Sequence, residues 1–164
     1  MNNEKTESKA GNDTVDTAVR PALIVSDKTI NDYQNYLNHL LVGLVDQSIP
    51  VGLVCDSQWE IESLVPPSIE LIEHNLFSLP WLSALGHKKL LEKLVDFKPT
   101  VLHCICEKEV KLVQKLAQQM DLPFMVTVNS LRRLRMRRHL LKNLLSVTVS
   151  TPSIAENIIK TNPA

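Results

Sequence analysis

From Pro21 onward the chain alternates short, unbroken apolar runs with longer stretches in which apolar residues recur every third or fourth position. Unbroken runs of four or five residues are the form of strands covered on both faces, while three-and-four spacing marks one face of a helix. Ala22–Val25 predicts a first strand, closed by Ser26 and Asp27. Tyr33, Tyr36, Leu37, Leu40, Leu41, Leu44 and Val45 predict a helix capped by Asn31 or Asp32. Val51–Cys55 is a second buried strand, and Ile69–Glu73 alternates as a strand near a sheet edge does. Trp59–Pro67 suits a short helix or a loop, and His74–Trp81 reads as a loop. Leu90, Leu91, Leu94 and Val95 mark a helix that stops before Pro99. A strand at Thr100–Cys104 follows, then a helix through Val110, Val113, Leu116, Ala117 and Met120, then a strand at Phe124–Val128. Ser146–Val149 predicts one more strand, leading to a short helix that ends near Lys160, with Ser150 or Thr151 as its cap and Pro152 as its first residue. Strands alternating with helices make βαβ units with right-handed crossovers. The predicted fold is therefore α/β, a three-layer Rossmann-like domain with a mostly parallel sheet.

Composition narrows this picture. With 164 residues, 44% of them apolar, the chain has material for one well-filled core. Residues 1–20 stand outside the pattern, with scarcely an apolar side chain before Val15. They have too little to bury to offset their ordering entropy and predict a disordered tail ahead of a folded domain at 21–164. No apolar run approaches the ~20 residues of a membrane-spanning helix. Residues 1–20 also lack the apolar stretch of a secretory signal, and three cysteines cannot all pair within the chain, so a cytoplasmic address is expected. Eighteen basic residues balance eighteen acidic ones, so no global charge draws the chain to nucleic acid or an anionic membrane. Neither G-x-x-x-x-G-K-[ST] nor G-x-G-x-x-G occurs, which leaves nucleotide-phosphate cradles of those kinds without support, and no cofactor is expected.

Three phrases in the second half of the chain carry a family resemblance. They are FKPTVLHC from Phe97 to Cys104, LPFMVTVN from Leu122 to Asn129, and LSVTVSTPS from Leu145 to Ser153. In order and spacing, across about residues 95–160, they are similar to the amino-terminal domain of family 4, GT-B-fold glycosyltransferases. There a helix ends in "KP", a strand with a small-residue and histidine ending follows, and "PVVVTVHG" and "VIAVSxxxxxxL" segments come later. The resemblance implies an acceptor-side domain, the whole enzyme moving a sugar from a nucleotide donor to an acceptor hydroxyl. It implies further that the carboxy-terminal donor domain is absent from this chain, which alone would be inactive or would need a partner chain supplying that domain. Two positions depart from the family pattern. Asp27–Ile30 stands where a glycine-rich turn usually follows the first strand, and Asn129-Ser130 replaces the histidine and glycine that often end the "VTVHG" strand. Asparagine hydrogen-bonds but does not take up a proton near neutral pH as imidazole does.

Ligands of open parallel sheets sit beyond the carboxyl ends of the strands, where strand order reverses, here expected between the first and fourth strands. Ser26, Asp27, His103, Cys104 and Cys106 would lie there. Asp27 and His103 either supply polar contacts to an acceptor or act structurally, Asp27 capping a helix and His103 packing in the sheet. Asn129 and Ser150 complete the set of acceptor-binding candidates. His103-Cys104-Ile105-Cys106 resembles a metal ligand cluster only in part: structural zinc needs four ligands and no second Cys/His cluster exists, so no metal is expected. Neighbouring strand positions point to opposite faces, which separates His103 from Cys104 as a base and nucleophile pair.

The segment Leu131–Leu145 is the chain's most unusual in charge. It holds Arg132, Arg133, Arg135, Arg137, Arg138 and Lys142 and no acid, so its +6 is offset by −6 over the remainder. On a helix its leucines gather to one side and the arginines mainly to the others. Such a helix suits an anionic lipid surface, a phosphorylated or polyanionic acceptor, an acidic partner or a solvated face. Nucleic acid ranks lower, because no aromatic platform accompanies the arginines. Lipid-linked or polyanionic acceptors are what the family resemblance implies, with peripheral membrane contact. The competing expectation is a non-catalytic Rossmann-like interaction module that uses the arginine-rich helix.

Overall fold

The computed structural model describes residues 18–56, 65–74, 80–105, 107–130 and 142–161. Its sheet has six strands, β1 (Pro21–Ile24), β2 (Gly52–Cys55), β3 (Glu70–Glu73), β4 (Val101–Cys104), β5 (Phe124–Val128) and β6 (Leu144–Val149). All are parallel, in the order β3-β2-β1-β4-β5-β6. The helices are α1 (Asp27–Asp32), α2 (Gln34–Asp46), α3 (Pro80–Phe97), α4 (Val110–Met120) and α5 (Pro152–Thr161). Register is tight at the centre: Leu23 lies between Leu53 on β2 and His103 on β4. Alternate strand residues then feed two separate cores. On one face Ala22, Ile24, Val54, Leu102, Phe124 and Val126 meet α3 through Leu90, Leu94 and Phe97, and α4 through Val113, Leu116 and Ala117. On the other, Leu23, Val25, Leu53 and Ile105 meet Ile30 of α1 and Leu37 and Leu41 of α2. Strand order runs outward in opposite directions from the β1/β4 pair. Right-handed crossovers then place the helices of the two halves on opposite faces, the three-layer α/β arrangement expected.

Several boundaries differ from the sequence pattern for local reasons. The first helix starts at Asp27 rather than beyond Asp32, because the Ser26 Oγ accepts from the Thr29 N–H at 3.3 Å and caps it. The chain then turns at Tyr33 (φ −131°, ψ 30°) before α2 begins at Gln34. Helix α3 begins at Pro80, inside the stretch read as loop, with proline at the first helical position where its missing N–H leaves no bond unmade. The expected edge strand at Ile69–Glu73 is β3, which ends the sheet. Thr151, not Ser150, caps α5, its Oγ1 accepting from the Ile154 N–H at 3.4 Å. Lys98 and Asp121 leave α3 and α4 with φ of 56° and 51°, left-handed exits that glycine would adopt at less cost.

Gly52 opens β2 for a packing reason. A Cβ there would stand 2.9–3.1 Å from three atoms of the Phe97 ring, whose residue is 2% exposed. The Arg20 guanidinium lies over the Phe97 ring, 4.6 Å from its centroid. Arg20 also donates its backbone N–H to Thr100 Oγ1 at 2.8 Å, a contact one residue ahead of Pro21. Residues 1–17 of the sequence-predicted tail lie outside the described residues, as do Cys106 and the segment 131–141 with its five arginines.

Candidate functional site at the strand reversal

The carboxyl ends of β1, β4 and β5 open onto a cleft of about 250 Å3. Parallel strands deliver their following loops to the same edge of the sheet, and the reversal of strand order between β1 and β4 parts those loops. Ser26, Lys28, Thr29, Asp32 and Tyr33 line the cleft from α1 and its end. Ile105, Glu107 and Lys108 enter after β4, and Asn129 and Ser130 after β5.

Hydrogen bonds fix this lining from three sides. The Ser26 and Thr29 hydroxyls are 2.9 Å apart, so the cap of α1 also sets one wall. The Tyr33 hydroxyl donates to the Asn129 carbonyl oxygen at 3.4 Å, spanning from the α1–α2 corner to the loop after β5. Opposite, the Ser130 hydroxyl donates to a Glu107 carboxylate oxygen, tying the β4 and β5 loops together. Lys28 pairs with Asp32 at 3.5 Å, both well exposed, a contact that adds little stability but spends the lysine's charge locally. Among the described residues the cleft therefore carries two lysines against two carboxylates, plus hydroxyls and an amide. It is a surface that exchanges hydrogen bonds rather than one that collects anions.

The sequence candidates separate in this geometry. Ser26 and Asn129 line the cleft. Asp27 occupies the first turn of α1, where a carboxylate meets the positive end of the helix. His103 points into the sheet face, where a 2.8 Å hydrogen bond joins its Nε2 to Thr127 Oγ1. Burial holds its pKa below the ordinary 6.5. Cys104 is fully buried in the opposite core, apart from His103. Ser150 follows β6, its N–H reaching the Val128 carbonyl at 3.4 Å, and does not line the cleft. Beside the cleft, Cys55, Asp56, His74 and Glu109 border a cavity of about 10 Å3. Burial pushes the Cys55 thiol up to about 11, raises Glu109 and lowers His74. Among the described residues no group of three or more His, Cys, Asp or Glu side chains is placed to hold a metal ion.

Glu107, Tyr33 and Thr29 escaped the sequence reading. Tyr33 has helical spacing with Tyr36 and Leu37 and reads as core, but the turn at Tyr33 moves it to the cleft. Glu107 has a signal, a charged residue three positions after a buried strand at the reversal.

No protein-family model and no curated protein sequence matches the chain. Solved structures do. A glycosyltransferase from Rickettsia africae superposes with a TM-score of 0.72 over 88% of this chain at 11% identity, covering 40% of its own length. MurG of Acinetobacter baumannii matches with a TM-score of 0.62 over 88% of this chain at 12% identity, covering 42% of its length. The fold is that of a GT-B glycosyltransferase's amino-terminal half. The lipopolysaccharide outer core galactosyltransferase WaaB gives 0.61 over 89% of the chain at 12% identity, covering 43% of its length. The chain thus spans about two fifths of each of these GT-B proteins. At such identities the likeness is one of fold.

In that GT-B frame the loop after β1 is informative. It runs Ser26-Asp27-Lys28-Thr29 with no glycine, and every residue carries a Cβ where a pyrophosphate would need the backbone close. Among the described residues no helix is long and apolar enough to cross a membrane.

Proposed function

We propose that this chain is the acceptor-side half of a glycosyltransferase, resembling family 4, and that its cleft holds the acceptor hydroxyl while a second Rossmann unit binds the nucleotide sugar. That second unit belongs to the same or to another polypeptide. The observation that carries this reading is the fit of 88% of the chain to about two fifths of GT-B glycosyltransferases, with the cleft at the reversal point of the sheet. The side chains at the cleft agree with it. Asn129 and the Glu107–Ser130 pair suit the binding of hydroxyls, and the loop after β1 lacks the glycines of a phosphate cradle. Ser26 and Asn129 serve as acceptor contacts, and Asp27 as support for the α1 terminus. A second reading, a non-catalytic interaction module at an anionic membrane surface, draws on the +6 charge of Leu131–Leu145.

The test is a turnover assay. The purified chain is incubated with UDP-, GDP- and ADP-sugars, and released nucleotide is measured. Release at the level of the buffer control is expected of these 164 residues, which span about two fifths of the GT-B proteins they resemble. Steady release that disappears in Asn129→Ala would make the chain a complete enzyme and overturn the proposal.

A further inference from the structure

We infer that the cleft at the reversal point takes a single uncharged sugar ring, held by Glu107 and Asn129, and rejects phosphorylated ligands. This rests on the acceptor-side reading and names the ligand class for that site. Four observations carry it. The volume, about 250 Å3, lies below the roughly 300–1,000 Å3 of pockets for drug-sized ligands and suits one ring. The lining is rich in groups that match ring hydroxyls: the Glu107 carboxylate accepts, and the Asn129 amide both donates and accepts. Ser130 occupies one Glu107 oxygen and so orients the carboxylate, leaving its other lone pairs for a ligand hydroxyl. The Tyr33 ring, 37% exposed at the cleft and tethered through its hydroxyl to the Asn129 carbonyl, offers an apolar surface beside those polar groups.

The charges of the described lining then weigh against the anionic alternative. A phosphate in this cleft would meet two carboxylates, Glu107 and Asp32, as well as two lysines, and Lys28 is already engaged with Asp32. The helix ends that usually attract phosphate are themselves occupied by acids. Asp27 stands in the first turn of α1, and Glu109 is the N-cap residue of α4. A carboxylate at a helix N-terminus already neutralises the partial charge a phosphate would seek. Among the described residues the cleft thus offers no surplus of positive charge to the phosphorylated acceptor expected from the arginine-rich sequence.

Amide chemical-shift titration of the full chain tests this. The probes are methyl glycosides of glucose, galactose, mannose and N-acetylglucosamine, set against glucose 6-phosphate and inorganic phosphate at equal ionic strength. At least one methyl glycoside is expected to shift amides at 26–33, 107–108 and 129–130 saturably, and the two phosphates to leave them in place. Glu107→Gln and Asn129→Ala should each weaken the glycoside by about tenfold, the scale of one hydrogen bond to a charged or well-placed group, with shifts elsewhere unchanged. Should one variant fail to fold, the other still decides. Saturable shifts of the cleft amides by phosphate, no response to any of the four glycosides, or unchanged glycoside affinity in the folded variants would overturn the inference. Failure here leaves nucleotide turnover unaffected, so it is distinguishable from failure of the acceptor-side reading.

Discussion

Replacing Gly52 by alanine isolates one packing contact that holds the cleft's supporting sheet. The new methyl would approach three ring atoms of Phe97 at 2.9, 3.0 and 3.1 Å, the first closer than real Cβ atoms come and the others tighter than most, so the ring or the strand must shift. The ring has little freedom to do so: Phe97 is 2% exposed, and Arg20 lies over the ring. Overpacking of this kind costs about 1–3 kcal/mol. Against it stands the lower unfolded-state entropy of alanine, worth about 0.4–1 kcal/mol. The net expectation is a loss of about 1–2 kcal/mol, measured as a fall in the urea midpoint at unchanged slope. Phe97→Leu should destabilise the parent by about 1 kcal/mol yet be less costly in the Gly52→Ala background, because the smaller side chain relieves the clash. A neutral or stabilising Gly52→Ala, or strict additivity of the two changes, would refute the argument that Gly52 is there to admit Phe97.

Other consequences are equally direct. Ser26→Ala removes the cap of α1 and should cost about 1 kcal/mol in urea unfolding, while Ser150→Ala, whose hydroxyl does not cap α5, should stay within about 0.5 kcal/mol. His103 and His74 both titrate below their ordinary 6.5 when folded, so the unfolded chain binds more protons as pH falls through that value. Stability should therefore drop on acidification from about pH 7 toward the lowered values, and His103→Gln should flatten the drop in pH-dependent unfolding curves. Glu109, raised by burial, acts in the opposite sense: its contribution is fully present below the ordinary 4.5 and is lost as pH rises through its higher folded value. Replacing Arg132, Arg133, Arg135, Arg137 and Arg138 together by glutamine should preserve folding and abolish most sedimentation with anionic vesicles. Each such charge adds about 1 kcal/mol at most near the surface, an attraction that salt weakens. Vesicle binding equal to the parent's would exclude a membrane role for that segment.

How far the sequence reveals this molecule depends on which physical signal each part carries. The strands were legible because burial on both faces demands unbroken apolar runs, as in Ala22–Val25 and Phe124–Val128, and because Pro99 and Pro152 punctuate the helices. The reversal between β1 and β4 lies where the Rossmann-like fold class leads one to expect it, and no residue pattern marks it. The start of α1 was not legible: Ser26 looked like the end of a strand, and its capping bond to Thr29 is a three-residue contact with no apolar period behind it. The same shift carried Tyr33 out of the predicted core face and into the cleft. His103 is a candidate by position, and β4 alternation turns it along the sheet, where its Nε2 is hydrogen-bonded to Thr127 Oγ1. Glu107 and Ser130 are far apart in sequence and meet only because β4 and β5 are neighbours, a pairing no local pattern encodes.

Calorimetric titration of UDP-glucose, GDP-mannose and NAD into the chain tests the central claim most directly, because a Rossmann-like sheet that served as a nucleotide site would bind one of them at its strand reversal. The acceptor-side account predicts heats no greater than dilution for all three. One-to-one binding of any of them, weakened by Ser26→Ala or Asn129→Ala, would place the nucleotide in this cleft and contradict the account.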